Sequence, residues 1–297
     1  MSITYDVKVL ADSISPDGVR LTTLQCRYPR FIHSEMLRHR VFSHSVASSR
    51  AIPTEKQIER VRNDPFVPET FNKRVKGMGV GEALDLSKQH ACREEWIAAA
   101  EAAVIAAERL NEIGIDKSRA NRLLEPFIWV DDIITATEWD NFFALRDHPA
   151  AQPEFQIIAQ LIRAALKVSE PESLGYGDWH LPLVTDDEKF EADDNRVMER
   201  GGLSVDDLKL ISASRCARVS FDTHEQYEEI QRSLDRAEML ISSGHLSPFE
   251  HVARPIEDDD ALVTPWCGNL RGWFQFRKEF PCEDNFGALM AKEETTS

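Results

Sequence analysis

The chain has 297 residues, and 35 lysines and arginines against 51 aspartates and glutamates give it a formal net charge of −16. This charge argues against nonspecific binding to duplex nucleic acid or to an anionic membrane surface, because both are polyanions. No apolar run approaches 18 residues, and the first residues lack the basic flank and apolar core of a secretory signal. The five cysteines form no Cys-x-x-Cys pair, which indicates reduced thiols in a cytoplasm and predicts no metal site.

The predicted elements begin with two strands, at residues 3–10 and 19–28, and Pro29 is expected to end the second. Apolar residues at helical spacing from residue 31 predict a helix that runs into residues 38–40. The polar stretch 54–86 is interpreted as a surface loop with short helices. The remaining predicted helices are the alanine-rich 88–112, closed by Gly114, and the segments 138–146, 152–168, 204–217 and 225–242.

Two acidic stretches are predicted to be irregular or solvated. Residues 171–202 contain several glycines and an acidic patch, and we interpret them as a linker or lid. The acidic run 257–260 and the tail 292–297 are expected to face solvent. Taken together, the elements predict an α+β fold in which helices dominate.

The segment 38–50 is the first that could carry chemistry, because it places three arginines, two histidines and four serines in 13 residues of an acidic protein. Arginine guanidinium groups and serine hydroxyls match the oxygens of a phosphate. A solvated basic helix end would have the same composition. The residues alone leave both interpretations open.

A second segment, 138–146, places Asn141 and Arg146 about a turn apart if it is helical. An asparagine with an arginine can recognise the imide edge that uracil and flavin share. An amphipathic core helix with polar edges is the alternative. His245 and His251, further along the chain, have a spacing that fits no zinc pattern. The segment 268–277 weakly repeats 142–146 and could equally be an aromatic core helix.

Together these segments resemble the flavin-dependent thymidylate synthases. That family's hallmark is Arg-His-Arg followed after seven residues by Ser, and here Arg38-His39-Arg40 and Ser48 match it. Its Arg-x-x-Leu-Pro turn is matched loosely at 122–126, and its Asn-Phe-x-x-Leu-Arg helix with Ala-Gln-x-Glu is matched at 141–146 and 151–154. Its Ala-Arg-Val-Ser and Gly-His-x-x-Pro-Phe-Glu-His segments are matched at 217–220 and 244–251.

The order of these motifs differs from the usual family order, in which the last two segments come first. A circular permutation explains the difference, and partial duplication is the competing account. The arrangement is similar to divergent versions carried by bacterial viruses. The resemblance therefore implies a helix-rich single domain over 1–297 with a central antiparallel sheet, like that of the thymidylate synthase-complementing proteins but circularly permuted. Within this domain we expect a helical insertion at 54–116 and a permuted segment at 203–255.

The resemblance also implies roles for particular residues. Arg146 would lie against the pyrimidine and act catalytically, because it favours the form ionised at N3 and so makes C5 more nucleophilic. The residues expected to contact the flavin are Arg38, His39, Arg40, Asn141 and His251, together with a displaced Asn-x-Arg at Asn269 and Arg271. The residues expected to bind the nucleotide are Glu35, Ser48, Arg50, Arg122 and Arg146.

Three departures from the family pattern put flavin affinity and the exact substrate in question. Glu35 stands where Gln is usual, Val46 where Glu is usual, and Ala150 where His is usual.

The implied reaction is reductive methylation of dUMP to dTMP, with methylenetetrahydrofolate as the carbon donor, FAD as cofactor and NADPH as reductant. C5 hydroxymethylation of dUMP or dCMP is one alternative, and a flavin- or nucleotide-binding protein without turnover is another. The resemblance further implies a cytoplasmic homotetramer, in the host cytoplasm if the protein is viral, with the sites at subunit interfaces. No membrane or nucleic-acid polymer is expected as a partner.

Overall fold

A computed structural model describes residues 5–48, 51–77, 79–193, 202–219, 229–260, 264–283 and 285. The strands are β1 (Asp6–Ile14), β2 (Arg20–Pro29), β3 (Ser43–Val46), β4 (Trp129–Ala136), β5 (Glu172–Ser173), β6 (Ala253–Pro255), β7 (Trp266–Cys267), β8 (Leu270–Arg271) and β9 (Trp273–Gln275). The α-helices are α1 (His33–Met36), α2 (Thr54–Asn63), α3 (Leu86–Ile113), α4 (Lys117–Ala120), α5 (Asp140–Arg146), α6 (Pro153–Val168), α7 (Asp186–Asp193), α8 (Val205–Cys216) and α9 (Ile230–Ser242).

A five-stranded sheet in the order β3-β4-β2-β1-β5 forms the centre of the fold. The first four strands pair antiparallel, and the short β5 adds to β1 in parallel. The fold is therefore α+β with a mixed sheet, which confirms the expected class apart from the parallel edge strand. Side chains alternate between the two faces of each strand, so the sheet has two different surfaces.

The first face of the sheet carries the main hydrophobic core. Leu24 and Tyr28 of β2 and Ile134 of β4 pack there against the buried stripe of α6. This stripe follows the helical period, because Phe155, Ile158, Ala159 and Ile162 recur every three to four residues. The core therefore fixes α6 and, through it, the preceding helix α5.

The second face is crossed by a chain of hydrogen bonds between buried side chains. His251 bridges Ser45 of β3 and Thr135 of β4, at 2.9 and 2.7 Å. Thr135 bonds Thr23 of β2 at 2.6 Å. His180 continues the chain from Thr23 to Ser13 of β1, at 2.8 Å to each. The part of the chain after residue 173 thus covers this face and is tied to it by two histidines.

The predicted elements agree with the structure in most places, and the exceptions have local causes. The two first strands and the helices at 88–112, 138–146, 152–168 and 204–217 are confirmed within a few residues, and Gly114 ends α3 with a positive φ of 84°. The predicted helix into residues 38–40 is wrong beyond α1. The backbone turns there instead, because it must reverse direction to enter β3.

Three further differences concern the second half of the chain. The acidic patch within 171–202 begins the helix α7, which packs against α8, and His180 in the same stretch is buried against the sheet. Asp260 is not solvated, because it forms an ion pair with Arg254 at 2.5 Å. Residues 268–277 form strands and a 3-10 turn, not a helix. The amino-terminal part of the helix predicted at 225–242 and the tail 292–297 lie outside the described residues.

Two properties of the described part of the chain bear on function. None of its helices combines the length and the apolar composition needed to span a membrane. In the same residues, no three His, Cys, Asp or Glu side chains are grouped so as to hold a metal ion.

Candidate active site

The Arg-His-Arg segment lies in the turn between α1 and β3. The His39 N–H donates to the Met36 carbonyl at 3.1 Å, and the Phe42 N–H donates to the His39 carbonyl at 3.0 Å. These bonds direct His39 inward, where its ring lies 5.6 Å from Phe42 and 5.0 Å from Phe142. The flanking Arg38 and Arg40 are exposed. The turn therefore presents two guanidinium groups to solvent on either side of a buried imidazole.

Arg146, the last residue of α5, contacts this turn. Its Nε donates to Nε2 of His39 at 3.1 Å, and its guanidinium carbon lies 4.4 Å from the centre of the Phe155 ring. Because His39 Nε2 accepts this bond, the proton of the neutral ring is on Nδ1. Burial, with Arg146 and His44 nearby, lowers the pKa of His39 to about 4, so the ring is neutral at physiological pH.

Two further charged residues act on Arg146. Burial lowers the pKa of Arg146, the carboxylate of Glu35 opposes that shift, and the charge of Arg38 adds to it. An arginine keeps its proton despite such shifts. Glu35, Arg38, His39 and Arg146 thus lie together, and we refer to these four residues as the Arg146 group.

The exposed face of α5 adds an amide to this region. Asn141 is in the first turn of the helix and exposed, five residues before Arg146. Phe142, its neighbour in sequence, is buried in the core, which fixes the rotation of the helix. The helix predicted from the sequence at 138–146 therefore exists from Asp140, and it holds Asn141 at the surface.

The displaced Asn-x-Arg segment reaches the start of β3 and the end of β4. The Asn269 amide donates to the Val41 carbonyl at 3.2 Å and to the Ser43 hydroxyl at 3.0 Å. The Arg271 N–H donates to the Thr137 hydroxyl at 3.1 Å, and its guanidinium pairs with Glu138. The fold therefore brings both residues beside the turn that follows Arg40, although they lie more than 220 positions later in the sequence.

His251 lies inside the protein within one chain, and the flavin contact expected of it stays a prediction. The residue is fully buried, and both ring nitrogens bond serine and threonine hydroxyls of the sheet. Burial lowers its pKa to about 3, so the ring is neutral. In this structure the Pro-Phe-Glu-His segment therefore binds the second face of the sheet.

The residues expected to hold the nucleotide are only partly brought together. Ser48 is exposed just after β3, whereas Arg50 lies outside the described residues. Arg122 is exposed on the 3-10 helix Asn121–Phe127 and pairs with Glu125 at 2.9 Å. Glu125 also lies 3.8 Å from Arg30. Within one chain, Arg122 therefore belongs to a different set of contacts from the Arg146 group.

The three departures from the family pattern have different structural consequences. Val46 packs against the core, so this position cannot supply a carboxylate to a ligand. Ala150 is exposed and carries no polar side chain. Glu35, in contrast, places a carboxylate close enough to Arg146 to affect its pKa. The chain therefore lacks the family's carboxylate at Val46 and has a carboxylate at Glu35, where the family has an amide.

One buried titratable cluster was missed in the sequence. Asp132 of β4 is fully buried and accepts hydrogen bonds from Tyr28 at 2.5 Å and from His44 Nδ1 at 2.8 Å. The Tyr28 hydroxyl is also 2.8 Å from Nδ1 of His33. Two adjacent aspartates inside a strand, at 131 and 132, are the sequence signal that could have indicated it, since a buried carboxylate needs partners.

The surface donors of this region fit a flavin nucleotide, and the buried histidines do not. Arg38 and Arg40 expose guanidinium groups that match the oxygens of a diphosphate, and the exposed amide of Asn141 can pair with an imide. Nε2 of His39 and both ring nitrogens of His251 are engaged inside the protein.

Comparison with known proteins identifies the family of this chain. The family described as thymidylate synthase complementing protein matches residues 20–172, slightly more than half of the chain, and the chain belongs to that family. A UMP/dUMP methylase PolB from Streptomyces cacaoi bound with 5-Br UMP is 17% identical, with a TM-score of 0.48, over 56% of this chain and 89% of that chain. Its structure with 5-Br dUMP is also 17% identical, with a TM-score of 0.46, over 56% and 90%. No curated protein sequence matches the chain.

Proposed function

We propose that the protein is a thymidylate synthase-type enzyme that reductively methylates dUMP at C5 to give dTMP. Methylenetetrahydrofolate would give the carbon, FAD would be the cofactor and NADPH the reductant. The observation that carries this proposal is the Arg146 group, in which a half-buried guanidinium is oriented by a neutral histidine. Membership of the thymidylate synthase complementing family supports the same reaction class.

The geometry of Arg146 suits recognition of a uracil ring. His39 occupies Nε and Phe155 covers one face of the guanidinium, so the two terminal NH2 groups are the donors left for a ligand. Such donors directed at the pyrimidine O2 and N3 stabilise the ring ionised at N3. A positive charge in a partly desolvated site acts more strongly than one in water. The added electron density at C5 makes that carbon the nucleophile.

The flavin would be held by the exposed donors of the same region. Arg38, Arg40 and Asn141 are the residues we assign to it, with Asn269 and Arg271 completing its surroundings. When bound, the flavin supplies hydride to the one-carbon unit, which the side chains of this protein cannot do. The protein's own contribution is to position the pyrimidine and to stabilise charge.

Tritium release from 5-³H-dUMP tests this function directly. The full-length protein is incubated with FAD, NADPH and methylenetetrahydrofolate, and both tritiated water and dTMP are measured. We expect release matched by dTMP. Release without dTMP would indicate hydroxymethylation, and tight FAD binding without release would indicate a binding protein. Either result contradicts the proposal.

A further inference from the structure

A small cavity lies at the β3 edge of the sheet, at the opposite end of β4 from the Arg146 group. Its polar walls are Arg30, Gln57, Arg60, Trp129 and Asp131. Asp131 stands five residues before the end of β4, which is about 17 Å along a strand. The cavity is therefore separate, within one chain, from the Arg146 group. Its walls Ala47 and Ile52 flank in sequence the expected nucleotide-binding residues Ser48 and Arg50.

Two of the residues that line this cavity each have a buried polar atom without a hydrogen-bond partner among the described residues. These atoms are Oδ1 of Asp131 and Nε1 of Trp129. Asp131 is 93% buried, since only 7% of its surface is exposed. Leaving such atoms unpaired costs on the order of 1–3 kcal/mol each, so a wall with two of them is arranged for an occupant.

The remaining walls supply positive charge. Arg30 comes from the 3-10 turn Arg30–Ile32, and Arg60 comes from α2. Arg60 donates to the side-chain oxygen of Gln57 at 3.2 Å, and Gln57 is itself buried. The amide thereby holds one end of the guanidinium at the cavity. Two guanidinium groups and an indole N–H make three donor groups on one small space.

The buried carboxyl of Asp131 is a fourth donor at neutral pH. Burial raises its pKa to about 8; Arg27 and Arg60 oppose the shift, and Asp6 and Asp132 reinforce it. The protonated carboxyl offers an O–H, and it does not repel an anion. All four groups therefore favour an acceptor with negative charge.

The volume of the cavity limits the size of the occupant. It is about 30 Å³, against roughly 10–15 Å³ for one water molecule on the same basis. This space accepts a tetrahedral or trigonal headgroup and excludes a nucleobase or a flavin ring. The guanidinium forks match phosphate oxygens in particular.

We propose that this cavity is an oxyanion site that takes a phosphoryl group between Arg30 and Arg60. The phosphoryl group belongs either to a nucleotide, a possibility that rests on the proposed function, or to free phosphate. Arg30, Arg60 and Asp131 lie outside the motifs that indicated the family, so the site adds to the residues that those motifs assign.

Titration of the intact protein with inorganic phosphate tests the site without any turnover. Calorimetry gives the affinity, and the indole N–H resonance of Trp129, assigned with Trp129→Phe, reports binding at the cavity. We expect a saturable shift of that resonance and at least about a tenfold loss of affinity in Arg60→Gln. Arg62→Gln is the matched control, because Arg62 is also exposed on α2 but pairs with Glu108. It should bind like the wild type.

The carboxyl of Asp131 gives the test a second readout. Inorganic phosphate is almost entirely the dianion only above about pH 8, so affinities are compared from about pH 8 to pH 9.5 with those of Asp131→Asn, and the difference reports on the carboxyl. We expect the wild type to lose affinity over this range as Asp131 ionises, and Asp131→Asn to keep it.

Competition identifies the source of the phosphoryl group. If dUMP displaces phosphate and deoxyuridine does not, a nucleotide occupies the site; if neither displaces it, the occupant is the free anion. Both results support the site. A Trp129 resonance that does not respond to phosphate, or equal affinity in Arg60→Gln and Arg62→Gln, would overturn the proposal whatever the outcome of the tritium assay.

Discussion

Arg146 illustrates how much of a site depends on the neighbours of one side chain. A solvated arginine distributes its donors over many rotamers, whereas Arg146 is held by the His39 acceptor and by the Phe155 ring. His39 can accept only because burial keeps it neutral. The orientation of the guanidinium therefore follows from the hydrophobic packing of α1 and α6.

Replacement of Arg146 by alanine should lower kcat by roughly 100-fold or more, because one preorganised donor to developing charge contributes about that factor. The fold should survive, since the side chain is only half-buried. Tritium release measures the loss, and circular dichroism checks the fold.

Arg163→Ala is the control for this substitution. Arg163 also covers an aromatic ring, with its guanidinium carbon 4.7 Å from the centre of Phe143, but it pairs with Asp147 on the surface. It should keep wild-type activity. Equal losses in the two variants would assign the effect to packing and remove Arg146 from the chemistry.

Among the elements, the turn before β8 controls how the displaced Asn-x-Arg is presented. Gly268 has a φ of 62°, and a Cβ there would lie 2.2 Å from the side-chain oxygen of Gln275. Gln275 donates to Asn269 at 2.7 Å. A substitution at Gly268 should therefore turn Gln275 away and release Asn269 from one of its partners.

We expect Gly268→Ala to weaken flavin binding by several-fold, measured by fluorescence titration, with a modest loss of stability. Gly177→Ala separates this effect from backbone strain: Gly177 has a φ of 88°, and a Cβ there meets nothing within 4 Å. The idea fails if both variants bind flavin equally well.

The two histidines of the second sheet face make stability depend on pH. Burial lowers the pKa of His180 and of His251 to about 3, from the ordinary value of 6.5. Because the folded pKa is the lower one, the unfolded chain binds more protons below pH 6.5, and stability falls as the pH falls. Each histidine should lower the free energy of unfolding by roughly 2 kcal/mol between pH 6.5 and pH 5.

Urea unfolding at several pH values checks this dependence. His251→Gln should flatten the acid slope even if it lowers stability at pH 7.5, because it removes a proton-binding group. His245→Gln should leave the slope unchanged, since His245 is on the surface near Ser243. An unaltered slope in His251→Gln would contradict the role of the buried imidazole.

How far the sequence predicts these elements depends on the range of the interactions. Periodicity and end signals are local, so the strands at 3–10 and 19–28 and the helix at 88–112 could be predicted. The turn at Arg38–Arg40 could not be predicted, because the chain turns there to pair β3 with β4, a strand more than 80 residues later. The motif also could not predict that His251 links β3 to β4, because its partners Ser45 and Thr135 are more than 110 residues away in sequence.

At the scale of the whole molecule, the family match ends at residue 172, but the residues after it pack on the same central sheet. The part after residue 173 covers Leu21 and Ile133 of the sheet with Trp273, Ala253 and Cys216. It also supplies His180 and His251 to the buried hydrogen-bond chain. Without it, one whole face of β1, β2 and β4 would meet water, and four buried hydroxyls would each lose a histidine partner.

We therefore expect residues 1–176 and 177–297 to be unable to fold apart. The division falls in an exposed turn at Tyr176 and Gly177, so the cut itself breaks few buried contacts. Each fragment alone should show no cooperative urea transition, and the two mixed should regain one, because burial of the shared apolar face outweighs their association cost. The intact protein cut at the same turn after folding is the control and should stay associated. A fragment 1–176 that unfolds cooperatively by itself would show that the family-matched part is an independent domain and that the second half is an addition.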